Sequence, residues 1–388
     1  MKTDAIQGLL KHAVETVTPA AQLVVRQNGV VQLEAAYGWL DPETRQQPAQ
    51  VDTRFDMASV SKLFTVAAFM TLVEEGRVRL DQTVKTVLPD FDGLRPIQPY
   101  ENPLKPGALV NVPGEVATAD AGRVTFRQLL THTSGLPAWR PLWQQANAEA
   151  ARRMALETFF SYPTGNRIVY SDVGLILLGM SIETLTGQGL DAAIHDRVIL
   201  PLGLAHTGFR PLPEATQRSA ANIAPTEFCA WRGRRIVGEV HDENAWQLGG
   251  IAGHAGIFST AADIAAFGQC FLDGGAPLLK QATVAEMTRI QAETEGVRRG
   301  LGFALWSADP EASSNPFSQR VFGHTGFTGT CLWIDPEREL VVAFLTNEVY
   351  RGREGRGIGP LRVAVHRSIV EEALPPDAAD FRTGARLP

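Results

Sequence analysis

The chain contains 388 residues, of which 44% are hydrophobic and 20% charged, and its formal net charge is −6 at pH 7. This length and apolar content suffice for one large domain or two with a substantial core. No run of Lys or Arg is long enough to follow a phosphate backbone, so composition and charge argue against nucleic acid as a partner.

The N-terminal region predicts a helix followed by a β-hairpin. Residues 4–16 have the spacing of an amphipathic helix, and two apolar runs then flank Asn28-Gly29, a dipeptide typical of hairpin turns. Residues 1–18 lack the continuous apolar segment of a signal peptide, and no stretch of the chain contains eighteen consecutive apolar residues. We therefore expect a cytoplasmic protein that does not associate with a membrane.

Residues 55–65 predict a turn that leads into a helix. Ser59 lies where a capping hydroxyl is expected, and Lys62 follows three residues later, so both side chains share one helix face. A serine becomes a nucleophile when a neighbouring base takes its proton, and a lysine whose pKa is lowered by its surroundings can help. A capping serine beside a solvated lysine explains most chance matches to this pattern, so the functional interpretation depends on partners further along the chain.

The middle of the chain contains a long loop, a histidine and a tyrosine of interest. Residues 89–121 are rich in Pro and Gly and predict a loop that could form the rim of a site. His132 lies at an expected helix end, where a structural hydrogen-bonding role is commoner than a catalytic one. Tyr170 precedes a helix that Ser171 or Asp172 could cap, and its phenol could be structural, or a base if cations lower its pKa.

A polar, glycine-rich region at residues 238–260 contains three candidate ligands, His241, Asp242 and His254. These side chains could bind a metal ion, but their spacing fits no familiar motif, and a hydrogen-bonded loop explains them better. The glycines indicate tight turns or close backbone approach, and residues 261–272 then predict a helix. We expect neither a metal nor an organic cofactor.

The last third of the chain alternates as antiparallel strands do. Runs at residues 322–330, 331–334 and 340–345 predict a meander, and residues 359–373 predict a closing helix. The three cysteines are widely separated and lack C-x-x-C spacing, which indicates buried thiols rather than a disulfide framework, a zinc site or a thiol nucleophile. They are Cys229, Cys270 and Cys331.

Three ordered motifs give the chain a family resemblance over roughly residues 10–372. The motifs, supported by the phrase at residues 129–136, are Ser59-Val60-Ser61-Lys62, Tyr170-Ser171-Asp172 and His324-Thr325-Gly326. Together they resemble the penicillin-recognising serine hydrolases, which comprise serine β-lactamases, D-alanyl-D-alanine peptidases and related esterases, and in particular their class C-like branch.

The resemblance implies an α/β (α+β) fold of the β-lactamase/transpeptidase type. In this fold an antiparallel sheet flanked by helices is built from both chain ends, and an all-helical domain is inserted between them. Residues 1–58 and 250–388 would form the sheet part and residues 59–249 the helical part. The active site would lie in the cleft between the two parts.

The resemblance also implies a role for each motif residue. Ser59 would be the acylated nucleophile and Lys62 its proton partner, while Tyr170 would share the base and acid work as a phenolate favoured by nearby cations. Asp172 stands where family members have Asn or Asp, and its carboxylate could pair with Lys62. His324 stands where many relatives have lysine, so it would orient substrate or assist proton transfer while offering less fixed positive charge to a β-lactam carboxylate.

The backbone N–H groups of Ser59 and Phe327 are implied to form an oxyanion hole, worth about 3 kcal/mol per donor to the tetrahedral intermediate. The residues implied to bind substrate or support the site are Asp172, Thr325, Gly326, His241, Asp242 and His254.

The phrases at residues 55–59, 240–245 and 250–256 resemble, more narrowly, a subgroup that includes enzymes removing peptides from N-acetylmuramic acid during cell-wall recovery. We therefore expect a serine hydrolase that forms an acyl-enzyme on a small-molecule or peptide substrate, either a muropeptide amide or a small ester. The alternatives are a D-Ala-D-Ala carboxypeptidase or β-lactamase, a non-catalytic acylatable sensor, and a metallohydrolase. Oligomeric state stays open, as does the placement of Trp139 and Trp143 in the core or along the cleft.

Overall fold

The computed structural model describes residues 3–102, 105, 107–112, 117–211, 222–355 and 357–373. The α-helices in these ranges are α1 (Asp4–Thr16), α2 (Ser61–Glu74), α3 (Phe126–Leu130), α4 (Ala148–Leu156), α5 (Asp172–Thr186), α6 (Leu190–Ile194), α7 (Leu200–Leu202), α8 (Glu243–Gln247), α9 (Ala261–Leu272), α10 (Gln281–Thr288) and α11 (Ile358–Glu372). Short 3₁₀ segments lie at Ala58–Val60, Val84–Thr86, Ala121–Arg123, Leu142–Gln144 and Glu348–Arg351, and a π-helical turn lies at His195–Ile199.

The strands are β1 (Ala20–Gln27), β2 (Val30–Gly38), β3 (Phe55–Asp56), β4 (Leu94–Pro96), β5 (Tyr100–Glu101), β6 (Leu109–Val110), β7 (Thr118–Asp120), β8 (Gly208–Phe209), β9 (Phe228–Cys229), β10 (Arg234–Arg235), β11 (Ile257–Ser259), β12 (Ala292–Thr294), β13 (Val297–Arg299), β14 (Ala304–Leu305), β15 (Phe322–Thr325), β16 (Cys331–Asp335) and β17 (Leu340–Thr346).

A large antiparallel sheet combines strands from both parts of the chain. Its order is β12-β13-β14-β15-β16-β17-β1-β2, so β1 pairs with β17, and Ala21 lies opposite Thr346. This confirms the predicted fold class, an antiparallel sheet flanked by helices. The boundaries at residues 58/59 and 249/250 remain predictions, and the described part of 59–249 contains short strands beside its helices.

Alternate residues of the central strands face two separate cores. Leu23 packs with Ile6 of α1 and Val365 of α11 on one face of the sheet, and Val24 packs with α9 on the other. Such alternation follows from the two-residue repeat of a strand. On α9, a Cβ on Gly268 would lie 2.8 Å from Val341 Cγ1, so glycine lets this helix approach the sheet closely.

The first hairpin has the predicted turn. Asn28 and Gly29 have φ angles of 51° and 73°, and β1 and β2 pair on either side of them. Two consecutive left-handed residues form the turn whose twist matches that of the flanking strands.

Helix α2 is the central buried helix. Its residues from Ser61 to Leu72 are all buried, which explains why this segment is apolar on every face. Phe64 stacks on Phe267 of α9 with ring centroids 4.3 Å apart. Ser59, in the turn directly before α2, is therefore attached to a helix that is buried over most of its length.

One further sequence prediction needs adjustment. The segment 89–121, predicted as a loop, falls partly outside the described residues, and its described part contains β4 paired with β7. Among the described residues, no helix alone has the length and apolar composition needed to cross a membrane. Two consecutive helical segments, Asp172–Thr186 and Leu190–Leu202, reach that length and composition only together, and their axes are bent by 84° at the break between them.

Candidate active site

Ser59 lies in the 3₁₀ turn directly before α2. Its side chain does not cap the helix, because Val60 occupies the N-cap position, so the predicted capping role is wrong. The Ser59 hydroxyl instead accepts a hydrogen bond of 2.8 Å from Lys62 Nζ. Ala58 has a φ of 45°, a left-handed conformation that is uncommon for a residue with a Cβ and that often accompanies functional sites.

Lys62 is 1% exposed, yet its ammonium group has several partners. Nζ donates to the carbonyl oxygen of His254 at 3.1 Å and lies 2.7 Å from Asp172 Oδ1. Burial lowers the pKa of Lys62, but Asp172 and Tyr170 outweigh burial, and the pKa is raised. The resting side chain is therefore an ammonium ion, and its pairing with Asp172 is the one that the resemblance implies.

Tyr170 is held by the loop that follows α3. The Val169 amide donates to the carbonyl oxygen of His132 at 2.8 Å, and the Ser171 amide donates to His132 Nδ1 at 3.1 Å. The Ser171 hydroxyl caps α5 by accepting from the Gly174 amide at 3.3 Å. His132 thus fixes the backbone on both sides of Tyr170, which is the structural role that its position predicts.

Two cations lie against the Tyr170 ring, with Lys62 Nζ 4.9 Å and Arg299 Cζ 5.3 Å from its centroid. The buried hydroxyl lies beside Ser59 and Lys62 without a hydrogen bond of regular geometry. Burial raises the pKa of Tyr170, and although Lys62 opposes this, the net direction is upward. The expected phenolate is therefore wrong for the resting site, because desolvation outweighs the cations.

His324 lies at the end of β15, with its ring 5.7 Å from that of Tyr170. Its Nδ1 is 2.7 Å from the Thr325 carbonyl oxygen, so Nδ1 carries the proton and the buried Nε2 is an acceptor without a partner among the described residues. Burial, followed by the charge of Arg299, holds the pKa of His324 well below its usual range. The side chain is therefore neutral, and it supplies no fixed positive charge.

The loop after β15 lies against the Ser59 turn. Thr330 Oγ1 donates to the Met57 carbonyl oxygen at 3.0 Å, and a Cβ on Gly326 would lie 2.6 Å from that same oxygen. Glycine is therefore required for this approach. Phe327 follows, 41% exposed, and its amide has no acceptor in the described part of the chain. The oxyanion hole formed with the Ser59 amide stays a prediction.

Two residues of the polar loop reach this site. His254 Nε2 lies 2.9 Å from Asp242 Oδ1, and the ligand atoms of Asp172, Asp242 and His254 lie within 4.8 Å of one another. Such a group could hold a cation, and the Lys62 ammonium already forms an ion pair with one of its members, Asp172. Burial raises the pKa of Asp242, but its contacts with His254, with the Ala245 amide and with Lys62 outweigh burial and hold that pKa below its usual range.

His241 lies apart from that group. Its Nε2 is 3.1 Å from Glu227 Oε1, and Arg353 donates to the same carboxylate at 2.7 Å. Its ring stacks on Phe327 with centroids 5.7 Å apart. The set His241, Asp242 and His254 is therefore not assembled as a metal site, and His241 instead supports the loop that carries Phe327.

Sequence reasoning missed two charged side chains that have buried polar atoms. Arg299 Nε and Nη1 are buried without an acceptor, and this residue forms no ion pair among the described residues. Asp56 is 2% exposed, and its carboxylate accepts from the amides of Ala58 and His241. An Asp often accepts a hydrogen bond from the backbone amide two residues later in a turn, so the contact of Asp56 with Ala58 could have been predicted from the sequence. Nothing in the sequence connects Arg299 with Tyr170.

A cluster of tryptophans lies beside α8. The Trp231 ring is 5.4 Å from that of Trp143 and 5.0 Å from that of Trp246, and Arg232 lies over Trp231 at 4.9 Å. Trp231 is 41% exposed. The Trp143 amide donates to Asn244 Oδ1 of α8 at 3.0 Å. Trp143 thus belongs to a partly exposed cluster that lies beside α8, the helix that follows Asp242.

Comparison with known proteins shows the family and the fold. The family model described as Beta-lactamase matches residues 5–366. A protein from Salmonella agona (strain SL483), named "Putative D-alanyl-D-alanine carboxypeptidase", is 30% identical over 383 residues, covering 89% of this chain and 82% of that protein.

Solved structures share the fold at lower identity. EstCE1, described as "a hydrolase with promiscuous acyltransferase activity", superposes with a TM-score of 0.69 at 22% identity, covering 94% of this chain and 98% of that one. An octameric penicillin-binding protein homologue from Pyrococcus abyssi superposes with a TM-score of 0.71 at 20% identity, covering 97% of this chain and 79% of that one.

Proposed function

This chain belongs to the Beta-lactamase family, and from that premise we propose that it is a serine hydrolase that cleaves an amide or ester through an acyl-enzyme on Ser59. The observation that carries the proposal is the contact of Ser59 Oγ with Lys62 Nζ at 2.8 Å, with the Tyr170 hydroxyl beside both. This contact supports Ser59 as the nucleophile and Lys62 and Tyr170 as its proton partners.

The proposed reaction has two halves. Ser59 Oγ bonds to the substrate carbonyl carbon, its proton passes to the Lys62–Tyr170 pair, and the oxyanion faces the amides of Ser59 and Phe327. When the intermediate collapses, the carbon–nitrogen or carbon–oxygen bond breaks and the leaving group takes that proton. Water then adds to the acyl carbon while the same pair takes a proton from it. The bond from that carbon to Ser59 Oγ breaks, Oγ takes the proton back from the pair, and the acid is released.

The resting protonation state sets a condition on this chemistry. With Lys62 an ammonium ion and Tyr170 neutral, the pair must lose one proton before it can accept that of Ser59. Both pKa values are raised, so we expect kcat/KM to increase with pH.

For the substrate we propose a cell-wall-derived muropeptide cut at its amide bond, with a small ester as the nearest variant. The neutral His324 disfavours a substrate that needs a fixed cation at this position. The exposed face of Trp231 could pack against the apolar face of a sugar ring. Muropeptide salvage also agrees with the cytoplasmic location, which stays a prediction.

Mass spectrometry of N-acetylmuramyl-L-alanine-containing muropeptides tests the substrate. We expect release of the free peptide by the wild-type chain and none by Ser59→Ala. Hydrolysis of a short-chain nitrophenyl ester without peptide release would contradict the muropeptide and favour an esterase. Stoichiometric acylation by a β-lactam without turnover of any substrate would favour a non-catalytic sensor.

Replacing Asp172 by asparagine should move the pH profile. The Asp172 carboxylate is the main group that raises the pKa of Lys62, so its removal lowers that pKa. We expect the ascending limb of log kcat/KM to move by about one unit toward lower pH. The matched control is Asp191→Asn, on the surface of α6, which should leave the limb in place. An unmoved limb in Asp172→Asn would contradict the role of Lys62 as base.

Arg299 favours a second candidate, a D-peptidase acting on a substrate with a free carboxylate. Buried guanidinium N–H groups without an acceptor are costly, and a carboxylate oxygen could accept a charge-assisted hydrogen bond from Nε or from Nη1 of Arg299. Since Arg299 lies against the ring of Tyr170, the proposed proton donor, that carboxylate would belong to the leaving group. The name of the Salmonella relative agrees with this candidate.

A matched substrate pair decides between the two candidates. For the D-peptidase, Arg299→Gln should lower kcat/KM for a D-alanyl-D-alanine peptide about 30-fold but leave the C-terminally amidated peptide within about threefold. Arg298→Gln, which removes the neighbouring arginine paired with Glu293, is the control. Equal losses on both peptides would exclude carboxylate binding by Arg299.

A further inference from the structure

We infer that Asp56 is a positioning residue whose carboxylate holds the Ser59 turn and the Phe327 loop in one arrangement. Asp56 touches no reacting atom, so it would act through the backbone on both sides of the nucleophile. The inference rests on the proposed function, because it assigns a role within that site.

The first contact is to the Ser59 turn. Asp56 Oδ1 accepts from the Ala58 amide at 2.8 Å. Ala58 has the left-handed φ of 45° and immediately precedes Ser59. A residue with a Cβ keeps such a conformation only where its surroundings enforce it, and this hydrogen bond is the restraint closest to it.

The second contact is to the polar loop. Asp56 Oδ2 accepts from the His241 amide at 2.6 Å. The His241 ring stacks on Phe327, whose amide is the proposed second oxyanion donor. The next residue, Asp242, pairs with His254, whose carbonyl oxygen accepts from Lys62. One carboxylate therefore connects the nucleophile turn with the supports of both Phe327 and Lys62.

Backbone contacts of the same strand complete the connection. Thr328 Oγ1 donates to the Asp56 carbonyl oxygen at 2.8 Å, and Thr330 Oγ1 donates to that of Met57 at 3.0 Å. The Met57 amide donates to Ile257 of β11 at 2.9 Å. Asp56 thus lies where three segments that are distant in sequence meet.

The surroundings of Asp56 argue against a role as the partner of a Lys or Arg side chain. The carboxylate is 2% exposed and has no Lys or Arg partner among the described residues. Burial raises the pKa of Asp56, while the two amide donors oppose this. Burying a carboxylate that only backbone amides hold costs free energy of folding. In return, the carboxylate fixes the positions of those amides.

The test replaces Asp56 by asparagine. The asparagine oxygen can accept from only one amide, and its NH₂ group then faces the other N–H group. For the substrate that the wild-type chain hydrolyses, we expect kcat to fall about tenfold to 100-fold while KM stays within about threefold of the wild-type value. A slightly misplaced catalytic group has this effect. The control Asp335→Asn alters another buried carboxylate, which binds Ser318 and Arg338, and should leave kcat within about threefold.

A second variant covers the case in which Asp56→Asn does not fold. Thr328→Val keeps the side-chain shape and removes the hydroxyl that donates to the Asp56 carbonyl oxygen. We expect kcat to fall about threefold to tenfold, again with little change in KM. Wild-type kcat in folded Asp56→Asn, or in Thr328→Val where the first variant is unfolded, would overturn the inference. Turnover by Ser59→Ala would instead overturn the proposed function itself.

Discussion

Replacement of Ser59 by alanine is expected to lower the rate of hydrolysis by roughly 10⁵- to 10⁶-fold, the loss that follows removal of a nucleophile that acts as a unit with its base. The fold should persist, because the Ser59 hydroxyl contributes one hydrogen bond, from Lys62, and the ammonium keeps His254 and Asp172 as partners. Initial rates at saturating substrate, with thermal unfolding of the same preparations, measure both effects.

Ser61→Ala is the matched control for that experiment. Ser61 lies two residues away, is buried, and accepts from the Ile257 amide at 3.2 Å, so its loss disturbs the same helix start without touching Lys62. We expect its kcat to stay within about threefold of wild type. Residual turnover above about 1% in Ser59→Ala, free of wild-type contamination, would show that another group attacks the substrate.

The elements predicted best from the sequence are those specified by local chemistry. The Asn28-Gly29 turn requires two left-handed residues, which few other dipeptides supply at low cost. The helix Ala261–Leu272 begins after Thr260, whose hydroxyl accepts from the Asp263 amide at 3.3 Å. Both features depend on neighbouring residues only, so they can be read before any tertiary contact is known.

The candidate site was predictable only in part, because its remaining members meet through the fold. The spacing of Ser59 and Lys62 predicts their contact, since residues three apart share a helix face. Arg299 contacts Tyr170, which lies more than a hundred residues earlier in the sequence, and no local sequence pattern predicts this contact. The pairing of Asp172 with Lys62 is implied by the family resemblance, but the net directions of the Lys62 and Tyr170 pKa shifts also depend on burial, which the sequence does not show.

Replacement of Tyr170 by phenylalanine is expected to lower the acylation rate by about 10²- to 10⁴-fold, a typical contribution of a general base or acid. The hydroxyl is buried without a regular hydrogen bond, so its removal leaves no partner unsatisfied. The ring keeps its contacts with His132 at 4.7 Å and His324 at 5.7 Å. We therefore expect a thermal midpoint equal to or slightly above that of the wild type.

Rapid-mixing measurement of nitrophenolate release separates this effect from binding. Tyr170→Phe should slow the burst without changing its amplitude, whereas Tyr162→Phe, which alters a tyrosine packed against Arg167, should leave both unchanged. A burst of near-normal rate would remove Tyr170 from the proton transfer and leave that work to Lys62. Because the ammonium form of Lys62 cannot accept a proton, the ascending limb of the pH profile would then report the titration of Lys62 alone.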